Sequence, residues 1–447
     1  MNLPTLFLER MKPILKEEYD DFIKAFNEEQ VKAFRVNTEK ISLSDFEKVN
    51  VFGNKKIPYV DNGFYMEMDK AGNHPYHHAG MIYIQEPAAM IPAECIDINP
   101  NWKVLDMCAA PGGKSTQLKN KLGENGILVS NEINYGRAKI LAGNIERLGL
   151  KNCIVTNKDS FALASMFEST FDLIMVDAPC SGEGMFRKDE TAVEEWSLQN
   201  VELCAKRQKE ILCNAAKCLK SGGYIIYSTC TYSLNENEMV VADFIKNHPD
   251  FEIVPVSEKL LKYTSDGISF DGCEIKDINL CRRAYPHINR GEGQFVAVLH
   301  NTNNFVSYNN TPKKKEKVNV QFLHELLEDF DSVGVINSGG NYYYLNSDIE
   351  LNPKLTLMYG IFLGEEKKNY FLPSHQLFMA FGNKFKNKLN LNRDSDELKK
   401  YLHGEEITCD LPNGWAVVMV DGCSIGGVKV TNNIAKNHYP KGLRTLY

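Results

Sequence analysis

The chain has 447 residues, 51 Lys+Arg against 58 Asp+Glu and 43% hydrophobic residues, enough for roughly three ordinary domains at about 150 residues each. That composition excludes a disordered or fibrous protein, and a net charge of −7 argues against one that coats nucleic acid indiscriminately. No apolar run reaches the ~18 residues of a membrane span, and Glu9 and Arg10 break the short apolar opening MNLPTLFLERMKPILKEE. A soluble, cytoplasmic monomer with no membrane partner is expected. Twelve cysteines are scattered without any CxxC, so reduced thiols are expected, and neither a zinc site nor a disulfide scaffold.

Residues 1–90 begin with a helical pattern (Leu6, Phe7, Met11, Ile14, Leu15, Tyr19, Phe22, Ile23, Phe26), followed by FRVNT and a Gly/Asn/Asp-rich stretch, which predicts a small α+β module. From about 91 to 300, short β-branched runs (WKVLDMC, GILVSNE, CIVTNKD, FDLIMVD, GYIIYSTC, FEIVPV) alternate with helical segments. Alternation of this kind predicts an α/β domain with a doubly wound, mostly parallel Rossmann-like sheet. Residues 301–318, NTNNFVSYNNTPKKKEKV, are polar and end in a lysine run, the composition of a linker. Residues 319–447 hold an amphipathic helix (Val320 to Phe330), the strand-like GGNYYYLN and WAVVMVDGCSIGGVKV, which predict one or two small β-rich modules. With 17 Lys+Arg against 16 Asp+Glu, residues 301–447 are the better place for local basic patches, since the first 300 residues carry −8.

VLDMCAAPGGKS sets a strand, a small-residue loop and a helix start in succession, an arrangement that brings backbone N–H groups to a ligand. A Walker loop would need glycine where Cys108 stands, and GxGxxG is absent. The Ala-Ala-Pro-Gly-Gly turn instead suits a nucleoside carrying an amino-acid tail. Glu132 lies 19 residues past Gly113, where a carboxylate meets ribose hydroxyls in this fold class, and Asp159 ends the next strand, where it would accept from an adenine amine. Cys108, Glu132 and Asp159 at three consecutive strand ends point to S-adenosylmethionine as the cofactor.

The next two strands end in VDAPCSGEG and YSTCTYSLNENE, which offer Asp177, Cys180 and Cys230 at loop entries. If these strands are neighbours, thiols 50 residues apart in sequence face one pocket. Carbon 5 of cytosine is too weak a nucleophile to take a methyl group directly. A thiolate that adds to carbon 6 activates it and later leaves, with Asp177 supporting the addition at N3. Spacing does not rank the two thiols. An adenine-N methyltransferase would carry Asn/Asp-Pro-Pro-aromatic where this chain has Asp-Ala-Pro-Cys.

CAAPGGK (108–114), DAPCSGEG (177–184) and STCTY (228–232), with FRVNT (34–38), YIQEPAAM (83–90) and KNHYPKGLR (436–444), resemble the Sun-type RNA cytosine-C5 methyltransferases, in the bacterial RsmF-like branch that acts on small-subunit ribosomal RNA. The resemblance runs through almost the whole chain. It implies that Cys230 is the nucleophile and that Cys180 assists release of the methylated base. It implies cofactor contacts from Cys108, Ala109, Ala110, Pro111, Gly112, Gly113, Lys114, Glu132, Arg137, Asp159 and Asp177. It further implies a PUA-like RNA-binding region at the C-terminus, with ribosomal RNA or the small subunit as partner. In KNHYPKGLR, Lys436, His438, Lys441 and Arg444 surround Tyr439 without an acidic residue, a mixture of phosphate contacts and stacking surface suited to RNA. The same chemistry on transfer RNA and a non-catalytic ribosome assembly factor remain the competing readings, although a scaffold has no use for paired thiols. His74, His77 and His78 lack partnering metal ligands and are read as loop residues. FRVNT and YIQEPAAM carry no chemistry derivable from their residues.

Overall fold

A computed structural model describes residues 3–303, 318–349, 351–368 and 370–445, so most of the expected 301–318 linker lies outside the described residues. Strands β1 (Ala33–Val36), β2 (Gly63–Tyr65) and β3 (Ile82–Ile84) form an antiparallel sheet in the order β2-β1-β3. Two helices, Thr5–Leu15 and Tyr19–Ala25, precede it.

Five strands then run parallel: β4 (Lys103–Asp106), β5 (Ile127–Asn131), β6 (Cys153–Thr156), β7 (Phe171–Asp177) and β8 (Leu219–Thr229), ordered β6-β5-β4-β7-β8. The chain winds outward from β4 to β6 and returns to β7. The topological switch point therefore lies between β4 and β7, where a crevice opens at the carboxyl ends of the strands. Later come β9 (Phe251–Val254), β10 (Ser265–Asp266), β11 (Arg282–Ala284) and β12 (Gln294–Asn301); β12 is antiparallel to β8 and pairs with both β9 and β11. Strand β7 is apolar almost throughout because both its faces are covered: Leu173 and Met175 enter one core, Ile174 and Val176 another.

The C-terminal region contains two sheets. β13 (Val335–Ser338), β14 (Asn341–Tyr344), β16 (Ile361–Lys367) and β17 (Tyr370–Pro373) form the first, while the intervening β15 (Met358–Tyr359) pairs with the edge of β6, Met358 opposite Val155. A strand contributed from outside the parallel-sheet domain thus closes an otherwise open edge. β18 (Lys388–Leu391), β19 (Ile407–Thr408), β20 (Gly414–Val420), β21 (Cys423–Thr431) and β22 (Ile434–Asn437) form the second, ordered β18-β20-β21-β22-β19. Its central hairpin turns at Asp421-Gly422, both with positive φ (45° and 81°), as an Asp-Gly pair favours. The amphipathic helix expected over 320–330 is shorter, Gln321–Leu326.

Residues 1–90 divide between two neighbours. Phe7, Met11 and Phe22 of the first helices join Phe186, Trp196, Tyr232 and Tyr285 in one core, whereas Phe34, Phe64 and Ile82 of the small sheet join Val418, Val428 and Tyr439 of the last sheet. The opening apolar stripe therefore buries itself against loops of the parallel-sheet domain. Phe22 is fully buried, with its ring 5.2 Å from Tyr232 and 5.9 Å from Tyr285. Phe22→Ala should destabilise the protein by about 3–5 kcal/mol in urea unfolding. A loss under ~1 kcal/mol would show that these helices are peripheral.

Candidate active site

The β4 turn runs through a cis Ala110-Pro111 bond into Gly112, whose φ of 114° suits glycine, and the helix Gly113–Lys121 follows at once. The first turn of that helix is polar yet buried, and its side chains have partners. Ser115 Oγ donates to Asp106 Oδ2 at 2.6 Å, and Lys114 Nζ to Asp177 Oδ2 at 2.8 Å. Arg35 explains both FRVNT and YIQEPAAM. Its guanidinium, fully buried, donates to Gln85 Oε1 (2.6 Å), the Gly113 carbonyl (2.8 Å) and Thr116 Oγ1 (2.8 Å). Asn37 holds the Gly80 and Leu148 carbonyls at 2.9 and 2.8 Å. These motifs brace the turn from the neighbouring small sheet. The detectable signal was a charged side chain inside an otherwise apolar strand, and an amide directly after the ends of β1 and β3.

Cys108, Glu132 and Asp159 follow three adjacent parallel strands, as expected. Glu132 is buried, accepts from the Asn134 amide at 2.9 Å and lies 3.6 Å from Arg137 Nη1; Arg137 also donates to the Ala110 carbonyl at 2.8 Å. Arg137 is thereby tied to the β4 turn although its side chain is largely exposed. Asp159 caps the helix Ser160–Met166 through the Ala162 amide, 2.7 Å, which occupies Oδ1. Burial raises the Cys108 thiol, which stays protonated, and lifts the Asp106 carboxyl to about 7. Asp106 Oδ1 is buried without a partner at this turn.

The parallel pairing of β7 and β8 sets Asp177 opposite Ser228, and Ser228 Oγ donates to Asp177 Oδ1 at 2.7 Å. The same register brings the two loops together, so that Cys180 Sγ and Cys230 Sγ stand 3.2 Å apart. Its hydrogen bond to Cys230, then burial, holds the Cys180 thiol well above its ordinary value. The two thiols share one hydrogen bond, and either sulfur can be its donor. Burial works against the charge of Lys114, but Asp177 and then Cys230 outweigh it and raise its pKa.

Glu236 fastens the two loops. Fully buried, it accepts from the Ser181 amide (2.9 Å) and hydroxyl on one loop, Thr231 Oγ1 (3.5 Å) on the other, and Gln208 Nε2 (3.0 Å). Gly184 donates its N–H to the Cys230 carbonyl at 2.9 Å; a Cβ there would lie 2.7 Å from Gly293 Cα and 2.8 Å from that carbonyl oxygen. Glu183 is buried too, bonded by Arg10, by Trp196 Nε1 (2.9 Å) and by the Tyr232 amide (3.1 Å). Neither carboxylate is among the candidate site residues; from the sequence Glu236 reads only as a helix-start residue, with Ser233 and Asn235. Glycines and acids in a loop read as solvated, and only the fold buries them.

The expected RNA-binding tail is only partly a surface. Lys436, His438 and Lys441 are exposed, but Tyr439 is 3% exposed, its hydroxyl 3.2 Å from His78 Nδ1 and its ring in the core shared with the small sheet. The reading of Tyr439 as a stacking surface is therefore corrected. Arg444 is half-buried and donates to the Tyr439 carbonyl at 3.3 Å. His74 caps its own short helix by accepting from the Tyr76 amide, 3.1 Å.

Burial raises the Glu236 carboxyl from 4.5 to about 7, so folding favours its protonated form. The stability this contributes is complete below the unfolded value and disappears as pH rises through about 7. Glu236→Gln should therefore flatten the fall in unfolding free energy between pH ~5 and ~7.5. Equal slopes in the two proteins would contradict the burial-driven shift.

A family model described as 16S rRNA methyltransferase RsmB/F matches residues 93–300, the N-terminal domain of 16S rRNA methyltransferase RsmF matches 3–87, and the methyltransferase RsmF PUA domain matches 386–445. The ribosomal RNA small subunit methyltransferase F of Vibrio vulnificus is 31% identical over 99% of this chain and 97% of its own length. That of Shewanella oneidensis is 30% identical over 95% and 93%. Among solved structures, a methyltransferase homolog protein from Pyrococcus horikoshii is 30% identical with a TM-score of 0.58, over 66% of this chain and 95% of that one. NSun6 from the same organism, 22% identical with a TM-score of 0.57 over 67% and 99%, shares the fold. With the parallel-sheet domain, its two thiol loops and the flanking modules all matched in order, the chain belongs to the RsmF family of 16S rRNA methyltransferases.

Proposed function

We propose that this protein methylates carbon 5 of a cytosine in 16S ribosomal RNA, using S-adenosylmethionine and a covalent adduct through Cys230. The observation that carries the reading is the thiol pair, 3.2 Å apart beside the Lys114–Asp177 ion pair. A fold that only bound RNA would gain nothing from two thiols and a buried ammonium there.

The β4 turn fits the cofactor: the backbone turn at Gly112-Gly113, the carboxylates of Glu132 and Asp159 and the unpartnered Asp106 oxygen all lie at the carboxyl ends of the adjacent parallel strands β4, β5 and β6. When bound, S-adenosylmethionine supplies an electrophilic methyl group. Glu132 would accept from the ribose hydroxyls and Asp159, through its uncapped oxygen, from the adenine amine. Cys230 attacks carbon 6 as a thiolate; N3 takes up a proton as it does so, and the Asp177 carboxylate, oriented by Ser228 and Lys114, accepts the hydrogen bond of that N3–H. Carbon 5 gains a methyl group and then loses its proton to water; the electron pair of that C–H bond restores the carbon 5–carbon 6 double bond and expels the Cys230 thiolate from carbon 6, and N3 gives back its proton. Cys180, already in contact with Cys230, assists that release.

Cys230→Ala should abolish turnover while leaving cofactor and RNA binding nearly intact. Cys180→Ala should attack and methylate but stall before release, leaving a slow, reductant-resistant protein–RNA band on a denaturing gel. The reverse pattern would exchange the thiols' roles, and full turnover in both variants would defeat the covalent mechanism. Lys114→Gln removes the ammonium that orients the Asp177 carboxylate, so kcat should fall roughly tenfold or more with RNA binding unchanged. An unchanged kcat with weaker S-adenosylmethionine binding would assign Lys114 to cofactor binding alone.

A further inference from the structure

With Tyr439 buried, the exposed cations of the tail belong to a different surface. On the last sheet Trp415 lies opposite Lys429, and Lys429 opposite Lys436, so the three side chains form a row across β20, β21 and β22 on one face. The row does not end at that sheet. The Lys429 ammonium lies 5.5 Å from the ring centroid of Trp415 and 5.6 Å from that of Tyr370, which belongs to β17 of the neighbouring sheet. His438 sets its ring edge-on to Trp415 at 4.6 Å and 74°. Phe378 backs Trp415, with ring centroids 6.2 Å apart.

These groups are available to a ligand. Tyr370 is 55% exposed, Lys429, Lys436 and His438 are exposed, and Trp415 is half-buried. Among the described residues neither Lys429 nor Lys436 has an ion-pair partner. Burial, then Lys429, lowers the His438 pKa, so its ring is neutral at pH 7. Flat rings next to unpaired cations match the two faces of a nucleotide, whose base stacks and whose phosphate is anionic. Such a set fits unpaired RNA: in a duplex the base faces are already stacked. An acidic peptide would use the lysines and leave the rings idle.

We infer that Tyr370, Trp415, Lys429, Lys436 and His438 form a composite site for a single-stranded RNA segment, built jointly by the β13–β17 sheet and the last sheet. The inference rests on the proposed RNA substrate and gives the β13–β17 module a part in holding it. The β13–β17 sheet supplies Tyr370, and the last sheet with the residue that follows it supplies Trp415, both lysines and His438, so the composite site exists only while the two stay docked.

The test uses the full chain, with a labelled single-stranded 16S rRNA fragment, the same fragment annealed to its complement, and S-adenosylmethionine. Tyr370→Ala should weaken single-strand binding roughly tenfold, and Tyr370→Phe should restore it, as stacking requires. Lys429→Gln should weaken binding and make the salt dependence shallower by about 0.7 in log–log slope. Both side chains are exposed, so melting temperature and S-adenosylmethionine affinity should stay at wild-type values. Wild-type single-strand affinity in both Tyr370→Ala and Lys429→Gln would overturn the site while leaving the proposed function standing. Loss of duplex binding alone, or equal loss in Tyr370→Phe, would also overturn it. If the wild-type protein retained none of the RNA probes, the proposed substrate would fail together with this inference.

Discussion

The reactive geometry depends on one buried carboxylate. Glu236 sits where the loops after β7 and β8 converge and accepts hydrogen bonds from both, plus one from Gln208 on the helix Leu198–Cys218. A carboxyl group in a dry interior is costly unless donors surround it. Here the donors are the backbone and side chains that carry the two cysteines, so satisfying the carboxylate also fixes the thiol separation. Gly184 permits the same closure sterically, because the two loops approach more closely than any Cβ would allow.

The rest of the molecule holds that arrangement at a distance. Arg35 reaches from the small sheet to the first turn of the cofactor-side helix, and through it to Lys114 and Asp177. From the opposite side, Arg283 and Glu238 form a buried ion pair, and Arg283 donates to the Tyr232 carbonyl at 2.9 Å, two residues beyond Cys230. Lys40 extends the small sheet toward the C-terminal region by donating to Ser424 Oγ at 2.8 Å. Burial lowers its pKa to about 8, which marks an interface dry enough to disfavour an isolated charge. Each contact between modules thus pairs apolar burial with a directional polar bond, and the polar bond fixes register where apolar packing would tolerate sliding.

The C-terminal region contributes both structure and surface. β15 caps the edge of the large sheet at β6, and the helix His375–Phe381 packs between the two C-terminal sheets, with Phe378 filling the space above Gly427. Such edge closure makes the methyltransferase-like domain dependent on a segment more than 50 residues beyond its last strand, β12.

The sequence by itself determined the parallel-sheet domain, the cofactor-side turn and the candidate thiols. Strand runs alternating with helices have few topological solutions, and loops such as CAAPGGK and DAPCSGEG are local chemistry written in consecutive residues. It did not rank Cys180 and Cys230. Only the tertiary structure set them in contact and placed Lys114 beside Asp177, because charge and proton position depend on neighbours distant in the chain. Burial was equally out of reach. Tyr439 reads as a surface ring amid lysines, yet it packs into the small sheet, while Trp415 and Tyr370, 45 residues apart, meet over Lys429. Local pattern records what a residue is able to do; which face it turns to solvent is decided by the surfaces that fold against it.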